Sequence, residues 1–172
     1  MEKIHIYYDQ LQTPVGPLTM MTYEDRLIRL DFGTIDDIRT KATRYLSTLG
    51  KPVDFRRSTI EHVAKQELND YFAKERFDFS CSFVFYGTSF QQDVWRALLH
   101  IPYGKTVSYK NIAEWIGRPK AARAVGGAVN KNPYSIIVPC HRVIGANGAM
   151  VGYGGGLERK VFLLDHERNT NV

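Results

Sequence analysis

The chain has 172 residues, 44% of them hydrophobic, with only 2 cysteines and a formal net charge of +5. A chain of this length and composition buries a core without a disulfide framework, and two cysteines alone cannot assemble a metal cluster. The first residues lack the basic segment and apolar core of a signal peptide, and no apolar run approaches membrane-spanning length. We therefore expect a soluble, cytoplasmic protein without disulfides or a membrane segment.

Charge is distributed unevenly along the chain. Residues 1–86 hold 12 Lys and Arg against 13 Asp and Glu, whereas residues 87–172 hold 11 against 5. The halves therefore carry −1 and +6, which favours a polyanion as partner of the second half. A merely solvated basic face explains such an excess equally well, so charge alone does not identify nucleic acid. We predict two domains, 1–86 and 87–172.

The first half has the pattern of a sheet followed by helices. Residues 4–32 alternate between apolar and polar, with breaks at "TPVGP" and "YED", and this predicts a short antiparallel meander. Thr34 is placed to cap a helix that ends at Gly50, and a second helix is predicted from about Ile60 to Lys74. Its expected apolar face comprises Ile60, Val63, Ala64, Leu68, Tyr71 and Phe72.

Residues 77–85 place an apolar side chain at every second position, which predicts an extended segment with one covered face. Cys81 shares the apolar parity of this segment, and no basic residue stands beside it. We therefore predict that Cys81 is a buried, inert thiol.

The second half begins with three short helical patterns. "TSFQQDVWRALLH" has a capping Thr or Ser and stops at Pro102, and "SYKNIAEWIG" is capped by Ser108 and ended by Gly117. The third is predicted to start with Pro119 in its first turn and to end at Asn132. Three short helices with tight connections suggest a helix-turn-helix whose last helix approaches DNA.

Beyond these helices, "YSIIV" and "GAMVGY" predict two strands of a hairpin around the turn residues Asn147 and Gly148. A closing helix is predicted from about Leu157 to Glu167. Together with the first half, these elements define an α+β protein.

The third helix contains two adjacent glycines, Gly126 and Gly127, which together cost about 2 kcal/mol relative to alanine. Close approach of the backbone to DNA or to a neighbouring helix would each explain them, and the sequence leaves both open. Arg123 projects from the same helix, and a lone arginine there is ordinarily solvated.

"SIIVPCHRVIG" places a thiol, Cys140, between Pro139 and the basic residues His141 and Arg142. A working thiol needs a nearby base or positive charge, because a free thiol ionises only near pKa ~8.5. Neighbouring side chains on a strand point to opposite faces, so His141 would reach Cys140 only at a turn or through a water. Pro139 favours such a turn. These residues alone leave a reactive thiol and a buried structural thiol equally open.

"VPCHRVIG" resembles the active-site signature of the O6-alkylguanine-DNA alkyltransferases. The likeness runs from "GTSFQQDVW" to "LLDHE", with several motifs in the family's order, and so covers about the whole C-terminal half. The N-terminal half matches only in size and in its meander-then-helix pattern. The resemblance implies a ribonuclease-H-like N-terminal domain and a winged-helix or helix-turn-helix C-terminal domain.

The same resemblance implies a reaction. Cys140 would accept the alkyl group from O6 of guanine, or more weakly O4 of thymine, in one in-line displacement that needs no cofactor or metal. His141 would take the thiol proton through a water, Glu167 would orient that histidine, and Asn132 would brace the loop. The thioether product offers water no electrophilic carbonyl, so each molecule should act once.

The resemblance also implies double-stranded DNA as partner, met from the minor groove with little sequence preference. The target base must leave the duplex, and Arg123 would fill the space it leaves, while Ala122, Gly126 and Gly127 let the helix come close. Tyr109 would crowd the target phosphate and donate to the extruded purine. The base pocket would be lined by Val129, Val143, Tyr153, Gly154 and Gly155. We expect a monomer, with cooperative assembly on DNA left open.

Two departures from the family pattern stand out. Gly154 occupies the position where some relatives carry a serine, and we expect the smaller residue to admit bulkier alkyl groups. The N-terminal half lacks the cysteine and histidine ligands of a structural zinc, so no metal is predicted. Two other classes remain: an alkyltransferase-like binding protein, which would lack the reactive Cys140, and a cysteine hydrolase, which leaves the Arg123 helix unexplained.

Overall fold

The computed structural model describes residues 1–170, which form two compact units. The N-terminal unit is Met1–Tyr86, and the C-terminal unit begins at Gly87. Within residues 1–170, no helix is long and apolar enough to cross a membrane.

The N-terminal unit is built on a four-stranded sheet in the order β3-β2-β1-β4. Its strands are β1 (Ile4–Thr13), β2 (Gly16–Tyr23), β3 (Arg26–Phe32) and β4 (Val53–Arg57). The first three pair antiparallel, which confirms the predicted meander. Its second connection uses Glu24 and Asp25 at positive φ (49° and 61°), the conformation that tight hairpin turns require.

β4 was not expected, and it makes the sheet mixed rather than antiparallel because it pairs parallel to β1. Parallel neighbours need a crossover connection, which here contains a helix. The short strand "VDFRR" holds too few apolar residues to show a clear alternation.

The crossover helix α1 (Ile35–Leu46) begins as predicted: Thr34 and Asp37 form a capping box. A 3-10 turn (Ser47–Leu49) extends it to Gly50, whose φ of 72° ends the helical segment. The apolar face of α1 joins the sheet in a buried core made of Ile6, Met21, Ile28, Ile35, Ile38, Ala42 and Leu46.

α2 (Val63–Phe72) is shorter than predicted, and its apolar face starts one turn later. Ile60 is 78% exposed and Val63 is 54% exposed, so neither belongs to that face. The His62 side chain accepts a hydrogen bond from the Ala64 amide at 3.1 Å and so caps the helix after Ile60.

The segment 77–85 lies beside β3 without forming a regular strand. It makes one isolated bridge, between Phe83 and Leu27, and the Leu27 amide donates to the Ser82 carbonyl at 3.1 Å. Cys81 is 6% exposed, and burial together with the nearby Glu67 carboxylate raises the pKa of Cys81 to about 12. The prediction that Cys81 is buried is confirmed, and the raised pKa favours the unreactive thiol form.

The C-terminal unit contains the three predicted helices, α3 (Ser89–Leu98), α4 (Tyr109–Trp115) and α5 (Ala122–Asn130), and a closing helix α6 (Leu157–Arg168). Thr88 and Ser108 cap the first two through capping boxes. α5 starts later than predicted, because Pro119 lies in the preceding turn. The buried Trp95 indole donates to the Ala128 carbonyl at 2.9 Å and ties α3 to α5.

The predicted hairpin around Asn147 and Gly148 is wrong. Residues 135–137 form turns, and the short strand β6 (Val143–Ile144) pairs parallel with β5 (Val107–Ser108). The run "YSIIV" is apolar because it is buried within these turns, and Ile136 even adopts a φ of 72°. Burial of an irregular segment and burial of a strand leave the same apolar signal in a sequence.

Candidate active site

Cys140 lies on a one-turn 3-10 helix, Cys140–Arg142, that directly follows Pro139. The Cys140 amide donates to the Val138 carbonyl at 2.8 Å, and the Arg142 amide donates to the Pro139 carbonyl at 3.0 Å. The thiol is therefore on a tight turn, the arrangement that Pro139 favours, and is only 7% exposed.

Three side chains oppose the effect of burial on the thiol. Burial raises the pKa of Cys140, while the side chains of Asn132 and Tyr153 and the charge of Lys160 act to lower it. These groups favour the thiolate, which is the nucleophilic form of cysteine. Asn132 and Tyr153 are predicted site residues, whereas Lys160 was not predicted.

Asn132 holds the turns that lead to Cys140. Its Nδ2 donates to the Val138 carbonyl at 2.8 Å and to the Tyr134 carbonyl at 3.2 Å, and its Oδ1 accepts from the Tyr134 amide at 2.9 Å. One buried amide thus pairs three backbone groups of an irregular segment, which agrees with the bracing role expected from the resemblance.

His141 and Glu167 form a buried pair, with Nε2 of the histidine 2.7 Å from Oε1 of the carboxylate. Burial would raise the pKa of Glu167, but the hydrogen bonds and charges of His141 and Arg142 outweigh it and hold the pKa well below its usual range. An ionised carboxylate only accepts, so Nε2 of His141 carries the hydrogen. Nδ1 is buried and has no hydrogen-bond partner among residues 1–170.

The surroundings of His141 favour its neutral imidazole. Burial lowers its pKa, the Glu167 carboxylate partly opposes this, and the charges of Arg142 and Lys160 lower it further. A neutral imidazole with a free Nδ1 can accept a proton.

Lys160 is a buried cation that the sequence reasoning missed. It is 1% exposed, and its Nζ donates to the carbonyls of Val143 (2.5 Å) and Val151 (3.2 Å). It also lies 5.9 Å from the centre of the Tyr153 ring. In the sequence, only its spacing pointed to the site, because Lys160 and Glu167 are two helical turns apart and so share one face of α6.

Tyr109, the first residue of α4, lies close to the site. Burial raises the pKa of its hydroxyl, and so does a negative charge on Cys140. The hydroxyl donates to the Val151 carbonyl at 3.0 Å, so the same carbonyl accepts from Tyr109 and from Lys160.

Packing among residues 1–170 does not require the two glycines of α5. A Cβ at Gly127 would meet nothing within 4 Å, and a Cβ at Gly126 would make only ordinary contact with Tyr109, at 3.8 Å. Arg123 and Gly127 are one turn apart on the exposed side of the helix, while Val129 is buried on the other side. Ala122 is half-buried at the start of α5.

Gly154 has a neighbour that the sequence could not reveal. A Cβ there would lie 3.2 Å from the Asn130 carbonyl at the end of α5, so a larger residue would need a local shift. This contact explains the glycine without reference to the size of a substrate. Next to it, the Gly155 carbonyl accepts from Arg159 at 3.1 Å.

Residues 1–170 contain no group of three or more His, Cys, Asp and Glu side chains placed to hold a metal ion. Of the N-terminal histidines, His5 places its Nδ1 3.4 Å from Oδ2 of Asp54, and His62 caps α2.

Fold and site together define a class: an α+β protein whose helical unit carries a buried cysteine beside a His–Glu pair and an exposed, glycine-bearing helix. Two family models match the chain. Residues 6–84 match the 6-O-methylguanine DNA methyltransferase, ribonuclease-like domain, and residues 89–169 match the DNA binding domain of the same family.

Individual proteins agree with these matches. The methylated-DNA–protein-cysteine methyltransferase of Mycobacterium tuberculosis is 45% identical over 95% of this chain and 93% of its own length. The constitutive enzyme of that name from Bacillus subtilis is 45% identical over 94% of this chain and 95% of its own. A crystal structure of Mycobacterium tuberculosis OGT in complex with DNA has a TM-score of 0.77 at 42% identity, covering 97% of this chain and 94% of that one.

The chain therefore belongs to the 6-O-methylguanine DNA methyltransferase family. The likeness first seen in "VPCHRVIG" is confirmed, and it extends over the N-terminal half, where the sequence showed only a similar size and order of elements. The predicted α+β fold, with a sheet domain followed by a helical domain, is confirmed as well.

Proposed function

We propose that this protein repairs alkylated DNA by moving the alkyl group from O6 of guanine, and more weakly from O4 of thymine, onto Cys140, once per molecule. The relatives' shared name describes methyl transfer from methylated DNA to a protein cysteine. The observation that carries the proposal is the buried Cys140 on a tight turn beside a histidine whose Nδ1 is free to accept a proton.

The reaction needs one proton transfer and one displacement. The Cys140 proton passes through a water to Nδ1 of His141, and the thiolate attacks the alkyl carbon. The new S–C bond forms as the C–O bond breaks, and the electron pair of that bond stays on the purine. The purine takes up a proton from water, and the His141 imidazolium then returns its proton to the solvent. Glu167 stabilises the imidazolium that forms. The thioether has no carbonyl for water to attack, so no step restores the thiol.

DNA is the partner that fits the C-terminal unit. One relative is known in complex with DNA, and the exposed side of α5 offers Arg123 beside two glycines with open space above Gly127. We place α5 in the minor groove, with Arg123 filling the gap left by the flipped base. Tyr109 would then exchange the Val151 carbonyl for the extruded purine, and Val143, Tyr153 and Gly155 would border that base.

Mass spectrometry tests the proposal directly. After incubation with a duplex that contains O6-methylguanine, the Cys140 peptide should gain the mass of one CH2, and product should never exceed one methyl per protein chain. Cys140→Ser should take up no methyl yet still bind the duplex. Cys81→Ser is the matched control, since Cys81 is buried and inert, and should react like the parent protein.

Two outcomes would contradict the proposal. An unmodified Cys140 after long exposure would favour an alkyltransferase-like binding protein. Repeated turnover with release of product would favour a cysteine hydrolase. We further propose that the protein acts as a monomer in the cytoplasm and reads DNA with little sequence preference.

A further inference from the structure

Arg142 follows His141 in the chain, and its side chain reaches across to α6. Its Nε donates to Oε2 of Glu167 and its Nη2 donates to Oε1, both at 2.9 Å. Its Nη1 donates to the Ile101 carbonyl at 2.7 Å. This two-point contact fits the planar guanidinium to the planar carboxylate and fixes the orientation of both groups.

Two further contacts hold the pair. The Gly104 amide donates to Oε2 of Glu167 at 3.1 Å, and the guanidinium carbon of Arg142 lies 5.6 Å from the centre of the Tyr103 ring. Each carboxylate oxygen of Glu167 therefore accepts two hydrogen bonds, which uses both of its lone pairs. The two hydrogen bonds to Oε1 come from Arg142 and His141. The carboxylate can neither rotate nor take up a proton without breaking one of these bonds.

We propose that Arg142 is a positioning residue for alkyl transfer: it clamps Glu167 so that His141 keeps its hydrogen on Nε2 and presents Nδ1 to the thiol. The inference rests on the proposed function, because it gives the clamp a role in that reaction. Without the clamp, the carboxylate could turn away and the imidazole could move its hydrogen to Nδ1, which would then be unable to accept a proton.

The charges around His141 predict a second effect of the same residue. Besides burial, three charged residues shift the pKa of the imidazole: Glu167 and Lys160 from α6, and Arg142 from the 3-10 helix Cys140–Arg142. Glu167 raises the pKa of His141, whereas Arg142 and Lys160 lower it. Removing the Arg142 charge should therefore raise the pKa of His141, so that a higher pH is needed to keep the imidazole neutral.

The test compares Arg142→Met, which removes charge and clamp, with Arg142→Lys, which keeps only the charge. Single-turnover transfer separates two quantities: the final amount of methylated protein counts competent molecules, and the rate constant describes each of them. We expect the rate constant of Arg142→Met to fall about tenfold or more, since general base catalysis contributes roughly a hundredfold or greater. The pH of half-maximal rate should rise in Arg142→Met, and Arg142→Lys should be slower with a smaller shift.

Arg168→Met is the control, because Arg168 is exposed on the same helix as Glu167 and should leave rate constant and pH profile unchanged. Nitrogen-15 NMR of the His141 ring adds a readout that needs no DNA: the parent protein should show hydrogen on Nε2, and Arg142→Lys should show loss of that single tautomer.

The outcomes are distinguishable. Either variant could yield less methylated protein while its rate constant, pH profile and tautomer stay unchanged. That result would show that Arg142 has a purely structural role, and it would overturn the inference. If Arg142→Met does not fold, Arg142→Lys decides by the same measurements. If the parent protein itself leaves Cys140 unmethylated, the proposed function fails, while an unchanged tautomer in Arg142→Lys would overturn the clamp on its own.

Discussion

Lys160 brings a positive charge to a thiol that is otherwise surrounded by protein. Burial of Lys160 lowers its own pKa, and a negative charge on Cys140 raises it again. The two groups thus stabilise each other's charged forms. Because Nζ also donates to two carbonyls, the cation is fixed in place rather than free to reach solvent.

Replacement of Lys160 by methionine should make Cys140 less reactive. The positive charge of Lys160 lowers the pKa of the Cys140 thiol, whereas burial raises it. Without that charge the pKa should rise, and less thiolate should be present at neutral pH. The rate of iodoacetamide alkylation, read on the Cys140 peptide across a pH series, should drop several-fold at neutral pH and recover at higher pH. The exposed Lys131→Met is the control, and an unchanged pH profile in Lys160→Met would contradict the assignment.

The buried His141 and Glu167 should make stability depend on pH. The pKa of each is lower in the folded protein than in a free chain, so the unfolded state takes up protons first as the pH falls. The free energy of unfolding should therefore decrease below pH ~6.5, where an unfolded histidine titrates, and further below pH ~4.3, where an unfolded glutamate titrates.

Urea denaturation at a series of pH values measures this dependence. His141→Asn should remove the part that begins near pH ~6.5, and the exposed His100→Asn should keep it. A profile that is flat from neutral pH down to pH ~4.3 would contradict the assignment of a neutral, buried His141.

Much of the site could be predicted from the sequence, but most of that prediction came from the resemblance to a family and less from the chemistry of the residues alone. The residues alone left Cys140 undecided between a reactive and a structural thiol, and the family signature singled out His141, Glu167, Asn132 and Tyr109. Arg142 and Lys160 were missed, because their partners lie far away in the chain. A charged residue that is buried against distant groups looks in a sequence like any solvated charge.

At the scale of elements, α5 combines a buried side with an exposed side that carries Arg123 and Gly127. The exposed glycine lowers the stability of the helix, and the open space above it shows that no neighbour among residues 1–170 requires it. The proposed function supplies a reason for this glycine, because it brings DNA close to the exposed side of α5.

Gly127→Ala should stabilise the protein and weaken its contact with DNA. We expect a gain of about 0.5–1 kcal/mol in the free energy of unfolding, because alanine loses less conformational freedom in a helix. Affinity for duplex DNA should fall, because the added methyl holds the helix away from the groove. Reaction with free O6-benzylguanine should be unchanged and serves as the control, and unchanged duplex affinity would contradict the placement of α5.

Elements with local signals were predicted well, and those that depend on distant pairing were not. Thr34, Thr88 and Ser108 cap their helices as expected, since capping needs only residues within one turn. β4 and the parallel pair of β5 and β6 were not predicted, because the topology of the chain determines which strands pair. The Asn147–Gly148 turn exists, but it closes a loop rather than a hairpin: the Gly148 amide donates to the Gly145 carbonyl at 2.9 Å.

For the whole molecule, the separation of charge has a measurable effect. The excess of positive charge lies in residues 87–172, which include α5, whereas residues 1–86 are nearly neutral. The affinity for duplex DNA should therefore fall steeply with salt, because each phosphate that is neutralised releases counterions.

Fluorescence anisotropy at several salt concentrations measures the slope of log affinity against log salt. Lys110→Gln, next to Tyr109 at the start of α4, should reduce the steepness by about one, the effect of one phosphate contact. Lys51→Gln changes an exposed lysine of the N-terminal unit and should leave the slope as it is. Equal slopes in all three proteins would argue against α4 as part of the DNA contact.

The shared face of α6 has a consequence for how this chain can vary. Lys160 acts on the thiol and Glu167 acts on the imidazole, so both influences depend on the rotational register of one helix. Deleting a single residue between them would rotate the carboxylate about 100° around the helix axis, away from its histidine, although every catalytic residue would still be present in the sequence. The stretch "VFLLDH" can therefore tolerate amino-acid substitutions far better than insertions or deletions.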